Sequence, residues 1–178
     1  MKLLRTIRLD ASDTFVFDPP AEPGEWAVSG AFAFWSGDPT ALEGKARTAF
    51  RSGFLGVTSF GWSTLAQIVE ASEAERAEIV DVLAAQLMAR FDAPDLAAAK
   101  AAAEEEVSFA ESLCTQPQDT LIAVHRTYDD GNVREMFRAL RPRERAKPAR
   151  AFSFLEVEGD DELADEVDLI DLAAREPK

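Results

Sequence analysis

Ser72 followed three residues later by Glu75 forms a capping box, and the chain after it repeats at helical spacing, with Ile79, Val80, Leu83, Leu87, Met88 and Phe91 on one stripe. A second helical pattern starts almost at once. Pro94 falls in its first turn, and Leu96, Ala99, Ala103, Val107, Ala110 and Cys114 form its stripe. Two such helices joined by only a few residues have to pack antiparallel or meet at a sharp bend. They occupy the middle of the chain, with strand patterns on both sides. Segregated runs of strand and helix predict an α+β domain.

Residues 3–9 and 14–17 read as short strands, and Asp18-Pro19-Pro20 with Glu22-Pro23-Gly24 breaks the pattern. Over residues 26–35 the even positions are Trp26, Val28, Gly30, Phe32 and Phe34, and the odd ones Ala27, Ser29, Ala31, Ala33 and Trp35, which predicts a longer strand. Asp38-Pro39 opens a short helix with Leu42, Ala46, Ala49 and Phe50 on one face, ending at Gly53. Residues 57–69 return to strand. Residues 120–128 and 133–140 flank Asp129-Asp130-Gly131-Asn132, a hairpin signal, and residues 151–158 predict one more strand. The expected architecture is a mainly antiparallel sheet of about six strands with the helices packed on one face. One domain covers residues 1–158, and an acidic tail covers 159–178.

A chain of 178 residues, 47% hydrophobic, can bury a core without disulfides or a structural metal. Cys114 is the single cysteine, so no intrachain disulfide can form and a cytoplasmic location is expected. Arg8 and Asp10 interrupt the N-terminus before an apolar signal segment develops, and no apolar run reaches the roughly eighteen residues of a membrane span. The net charge of −14 argues against nucleic acid and anionic membrane as partners, since both attract clustered Lys and Arg. Phosphate-binding loops, dinucleotide fingerprints, serine elbows, C-x-x-C pairs and H-E-x-x-H are absent, so no cofactor or metal is expected.

Four aromatic pairs stand at i and i+2: Phe15/Phe17, Phe32/Phe34, Phe60/Trp62 and Phe152/Phe154. In strands each pair shares a face. The plain reading makes them the core under the helices, and the sharper one a dimer face or the floor of a ligand site. His125, the lone histidine, shares a strand face with Leu121, Ala123 and Thr127 and is assigned a structural or surface role. Cys114 lies on an apolar stripe and reads as a buried small hydrophobe. Glu104, Glu105 and Glu106 are consecutive, fan around the helix, and read as a solvated face rather than a metal site. Candidate ligand or interface residues are Trp35, Phe60, Trp62, His125, Phe152 and Phe154; no catalytic residue is assigned.

Residues 141–150 carry five Lys or Arg against one Glu, and residues 159–178 carry eight acids against two bases. Leu163, Val167 and Ile170 give the tail helical spacing, so it is expected either to dock as a short helix or to serve as a solubilising extension. The segments Leu3-Leu4-Arg5-Thr6-Ile7-Arg8-Leu9-Asp10, Gly24-Glu25-Trp26-Ala27-Val28, Gly44-Lys45-Ala46-Arg47, Phe50-Arg51-Ser52-Gly53-Phe54-Leu55-Gly56 and Ser59-Phe60-Gly61-Trp62-Ser63 resemble an uncharacterised bacterial family of unknown function, over about residues 1–143. That resemblance implies no activity and transfers no site residue. The sequence therefore points to a non-catalytic cytoplasmic interaction or accessory protein, homodimeric through its aromatic face. The rival is a small-molecule-binding protein or enzyme with a pocket between sheet and helices near Trp35, Phe60 and Trp62.

Overall fold

The computed structural model describes residues 1–141 and the backbone of Glu156–Val157. Its strands are β1 (Lys2–Ile7), β2 (Trp26–Val28), β3 (Phe54–Gly56), β4 (Trp62–Ser63), β5 (Leu65–Glu70), β6 (Leu121–Asp129), β7 (Asn132–Arg141) and β8 (Glu156–Val157). They form one sheet in the order β4-β3-β2-β1-β5-β6-β7-β8, with every ladder antiparallel. The helices are α1 (Ser12–Val16), α2 (Gly44–Ser52), α3 (Glu73–Arg90) and α4 (Leu96–Ser112). The class is α+β, as expected, with more and shorter strands than the expected six.

β1 lies mid-sheet, where Leu4 faces Ala27 on one side and Ile68 on the other. Ala66 then faces Ile122 across β5 and β6. These residues, with Val124, form the inner face of the sheet and share one core with Ile79, Leu83 and Leu87 of α3 and Ala99, Ala103, Val107 and Ala110 of α4. The alanine stripe lets the α4 backbone approach the sheet closely. On the opposite face Leu65, Gln67, Val69, Leu121, Ala123 and His125 are only half-buried. α3 and α4 run antiparallel, tied on the surface by Arg76 to Glu104 at 2.7 Å and Glu111 at 3.3 Å, and by Lys100 to Asp81 at 2.7 Å. The Ser72–Glu75 box caps α3 reciprocally, and the Asp95 side chain caps α4 by accepting from the Ala98 N–H at 2.8 Å.

The structure departs from the sequence reading where side chains or glycine override the alternation of apolar and polar residues. Residues 14–17 are helical rather than extended. The Asp13 carboxylate is buried and accepts from Thr64 Oγ1 at 2.6 Å and Ser63 Oγ at 3.2 Å, which fixes α1 against β4. Phe15 is consequently exposed while Phe17 is buried, so the pair shares no strand face. The strand expected over 26–35 stops at Val28. Gly30 has φ +77°, and a Cβ there would lie 2.5 Å from that of Leu55, so only glycine fits; the chain turns and Ala31–Phe34 coils into a 3-10 turn. The helix begun at Asp38 is a 3-10 turn, Pro39–Ala41, followed after a break by α2. The strand expected over 57–69 is split into β4 and β5. The Glu25 carboxylate accepts from the Thr58 and Ser59 N–H groups at 2.8 Å, pinning a tight turn in which Phe60 takes φ +57°.

The β6–β7 hairpin matches expectation, with Asp130 and Gly131 at φ +49° and +81°. The basic run 141–150, Phe152 and Phe154, and the acidic tail lie outside the described residues, apart from the Arg141 backbone in β7; of the last expected strand only β8 is described. Among the described residues no helix is long and apolar enough to cross a membrane.

Candidate functional site

The turn at Gly30 and the small side chains of α4 together leave a groove of about 430 Å³. One wall is Phe32 and Trp35, the opposite one Ala98, Ala99 and Ala102 of α4, and Leu87 and Phe91 close the end. Alanines cannot fill the space that a helix with larger side chains would occupy. The size falls within the range of small-molecule sites. Phe60, outside the lining, joins Phe32 and Phe91 in a ring cluster, with centroids 5.6 Å apart for Phe32–Phe91, 6.0 Å for Phe60–Phe91 and 6.4 Å for Phe32–Phe60. The Arg90 guanidinium lies 4.7 Å over the outer side of Phe60. Trp35, 70% exposed, stands at the mouth.

Glu106 also lines the groove. Its position follows from helix geometry, because Ala99, Ala103, Glu106 and Ala110 are spaced four, three and four residues apart, the spacing of one inward face. Glu104 and Glu105 point to solvent as expected of the acidic triplet, whereas Glu106 does not. Its Oε2 is buried and has no hydrogen-bond partner among the described residues. Burial, reinforced by the Glu135 charge, pushes its carboxyl up to about 7, against the opposing pull of Arg126 and the Gly30 N–H.

Arg126 cannot satisfy that oxygen. Its fully buried guanidinium donates through Nε to Glu135 at 2.7 Å, through Nη1 to the carbonyls of Gly53 at 2.7 Å and Phe50 at 3.1 Å, and through Nη2 to the carbonyl and, at 3.0 Å, the hydroxyl of Ser29. All of its donor directions are committed. The Ser29 hydroxyl in turn donates to Glu135. The network joins the C-terminal end of α2, the β2 exit and the β6–β7 hairpin directly beneath the groove. Burial lowers the Arg126 pKa, and Glu135 opposes that shift.

The sequence candidates separate. Trp35 lines the groove, Phe60 lies outside its lining against Phe32 and Phe91, and Trp62 is buried on β4 against Phe34, with centroids 5.1 Å apart. His125 is half-buried on the sheet's outer face, cross-strand from Met136. Cys114 is buried, and burial raises its thiol to about 11. Glu106, Arg126 and Glu135 were missed as site residues. Their signals were the α4 stripe spacing for Glu106, and for Arg126 the run Ile122, Val124, Arg126 on one strand face with Glu135 opposite in register. Among the described residues no group of three or more His, Cys, Asp or Glu could hold a metal ion.

Residues 1–153 match the sequence model of a family described as Family of unknown function (DUF6505), a match that runs past residue 143 into and beyond the basic run. No curated protein and no solved structure matches the chain.

Proposed function

We propose that this chain, which belongs to the DUF6505 family of unknown function, binds a small molecule whose apolar body lies in the groove between Trp35 and α4. The observation that carries the reading is the aromatic and alanine lining, to which Glu106 adds a carboxyl whose Oε2 has no hydrogen-bond partner among the described residues. A mostly apolar concavity with few convergent polar groups is the usual form of a ligand site. The lining favours binding over chemistry, since its polar side chains are confined to Ser36, Glu105 and Glu106. Calorimetric titration with the neutral probe 4-phenylbutan-1-ol tests it. Saturable one-to-one binding should weaken at least about tenfold in Ala102→Trp, which fills the groove from an exposed helix position. Absence of saturable binding, or equal binding by the variant, overturns the reading.

A second reading, self-association as a cytoplasmic accessory protein, rests on three exposed apolar side chains close together in sequence, Leu9 at 62% exposure, Phe15 at 73% and Val16 at 37%. Large apolar side chains clustered on a surface favour burial against a second copy. A single buried cysteine is compatible with a reducing compartment. Light scattering at tens of micromolar should give a dimeric mass that Phe15→Ser reduces; a monomeric mass for the native chain rejects this reading.

A further inference from the structure

Resting on the groove reading above, we infer that the ligand is an organic monocation: an amine carried on an apolar or aromatic body, its ammonium group set against Glu106 and the rings of Phe32, Trp35 and Phe91. Three features of the groove carry this. First, Oε2 of Glu106 is buried and has no hydrogen-bond partner among the described residues, while Arg126 has committed its donors to Glu135, Ser29 and the end of α2. A donor has to come from elsewhere, and Glu106 is one of the residues that line the groove. Second, the charged groups acting on the Glu106 carboxyl are Glu105 on its own helix, Glu135 on β7 and Arg126 on β6. With Glu106 ionised the set of Glu106, Arg126 and Glu135 carries one surplus negative charge, and no Lys or Arg lines the groove among the described residues. An anion would meet like charge there. Third, aromatic faces attract cations through their quadrupoles, and three aromatic side chains border the space. The volume of about 430 Å³ admits a molecule the size of a phenylalkylamine.

An ammonium ion pairs with the ionised carboxylate and not with the neutral acid. With the Glu106 carboxyl titrating near 7, its ionised fraction rises from roughly one tenth at pH 6 to roughly nine tenths at pH 8, and apparent affinity scales with the competent fraction. Calorimetric titration of the full chain with 4-phenylbutylamine and its neutral counterpart 4-phenylbutan-1-ol is the test. The amine is expected to bind about tenfold or more tightly than the alcohol at pH 8, to gain about tenfold in affinity between pH 6 and pH 8, and to lose its advantage in Glu106→Gln. The alcohol should change by no more than about twofold across the same variant. The pH series on the native chain decides the matter even if Glu106→Gln folds poorly. Equal binding of amine and alcohol, or an amine affinity flat with pH, overturns the cation assignment and leaves the groove reading standing. If neither probe binds, both fall.

Discussion

Replacing Glu106 with Gln should stabilise the protein, by an amount that grows as the pH rises. The folded state holds this carboxyl at about 7, against 4.5 for the free group. At ~1.4 kcal/mol per pH unit the gap amounts to about 3 kcal/mol, already net of the favourable pull of Arg126. The sign follows from which state binds the proton more tightly. Below about pH 4.5 the group is protonated in both states and costs nothing. Between about pH 4.5 and 7 the unfolded chain ionises the group freely while the folded protein resists doing so, so stability is lost across that window and the full cost persists above it. Integrated over the titration, about 1 kcal/mol of the cost is present at pH 5 and about 3 kcal/mol at pH 8. Gln preserves the shape and keeps an oxygen toward the Gly30 N–H; whatever its amide costs is the same at either pH. Urea unfolding of the native chain and the variant at pH 5 and pH 8 should therefore give a stabilisation larger by about 2 kcal/mol at the higher pH. Contributions common to the two proteins cancel in this difference. A difference between the two proteins that is the same at both pH values within about 0.5 kcal/mol would refute the burial argument.

Arg126→Met should destabilise by about 3–5 kcal/mol in urea, because it leaves Glu135 without its cation and exposes no replacement donor to the Gly53 and Phe50 carbonyls; a loss below about 1 kcal/mol would show that the network is not tightly formed. Cys114, buried and with its thiol raised to about 11, should be inert to a disulfide-exchange reagent at pH 8 in the native protein and react fully once unfolded; rapid native reaction would contradict its burial.

Legibility in the sequence followed the length of the pattern. α3 was readable because a capping box and an extended apolar stripe agree, and the β6–β7 hairpin because two strand patterns bracket a glycine turn. Residues 26–35 misled because their alternation ran through Gly30, where the need for φ +77° against Leu55 ends the strand whatever its neighbours prefer. α1 misled because its conformation is set by Asp13 reaching Ser63 and Thr64, some fifty residues away. Local periodicity contains no trace of that contact. The aromatic pairs were visible as residues but not as an arrangement. Turning Phe32 and Phe60 out of strand geometry brought them onto Phe91, the C-cap residue of α3, and separated Phe60 from Trp62. Glu106 was hidden by company: within three consecutive glutamates, charge suggested a common solvated face, although helix geometry forces their directions about 100° apart per residue.

The buried arginine and the groove are parts of one construction. Ser29 receives the Arg126 guanidinium on both its carbonyl and its hydroxyl, Gly30 next to it makes the reversal, and Phe32 and Trp35 then become the groove wall. A Lys at 126 could not do this, since an ammonium has three donors on a point-like head, whereas a planar guanidinium spans acceptors at the end of α2, at Ser29 just after β2, and on β7 together. The carbonyls it meets on α2 are also the negative end of that helix's dipole. Its positive charge is thus shared among the helix end, Ser29 and Glu135, and little is left for Glu106. Removing Glu106's proton then creates a charge that the fold does not neutralise, on the one side of the network that opens into an apolar groove. A side chain chosen for stability alone would be apolar at this position on the α4 stripe. The carboxyl instead lowers stability at neutral pH and adds an acceptor to the groove lining, and a bound cation would recover the lost stability through its preference for the folded state.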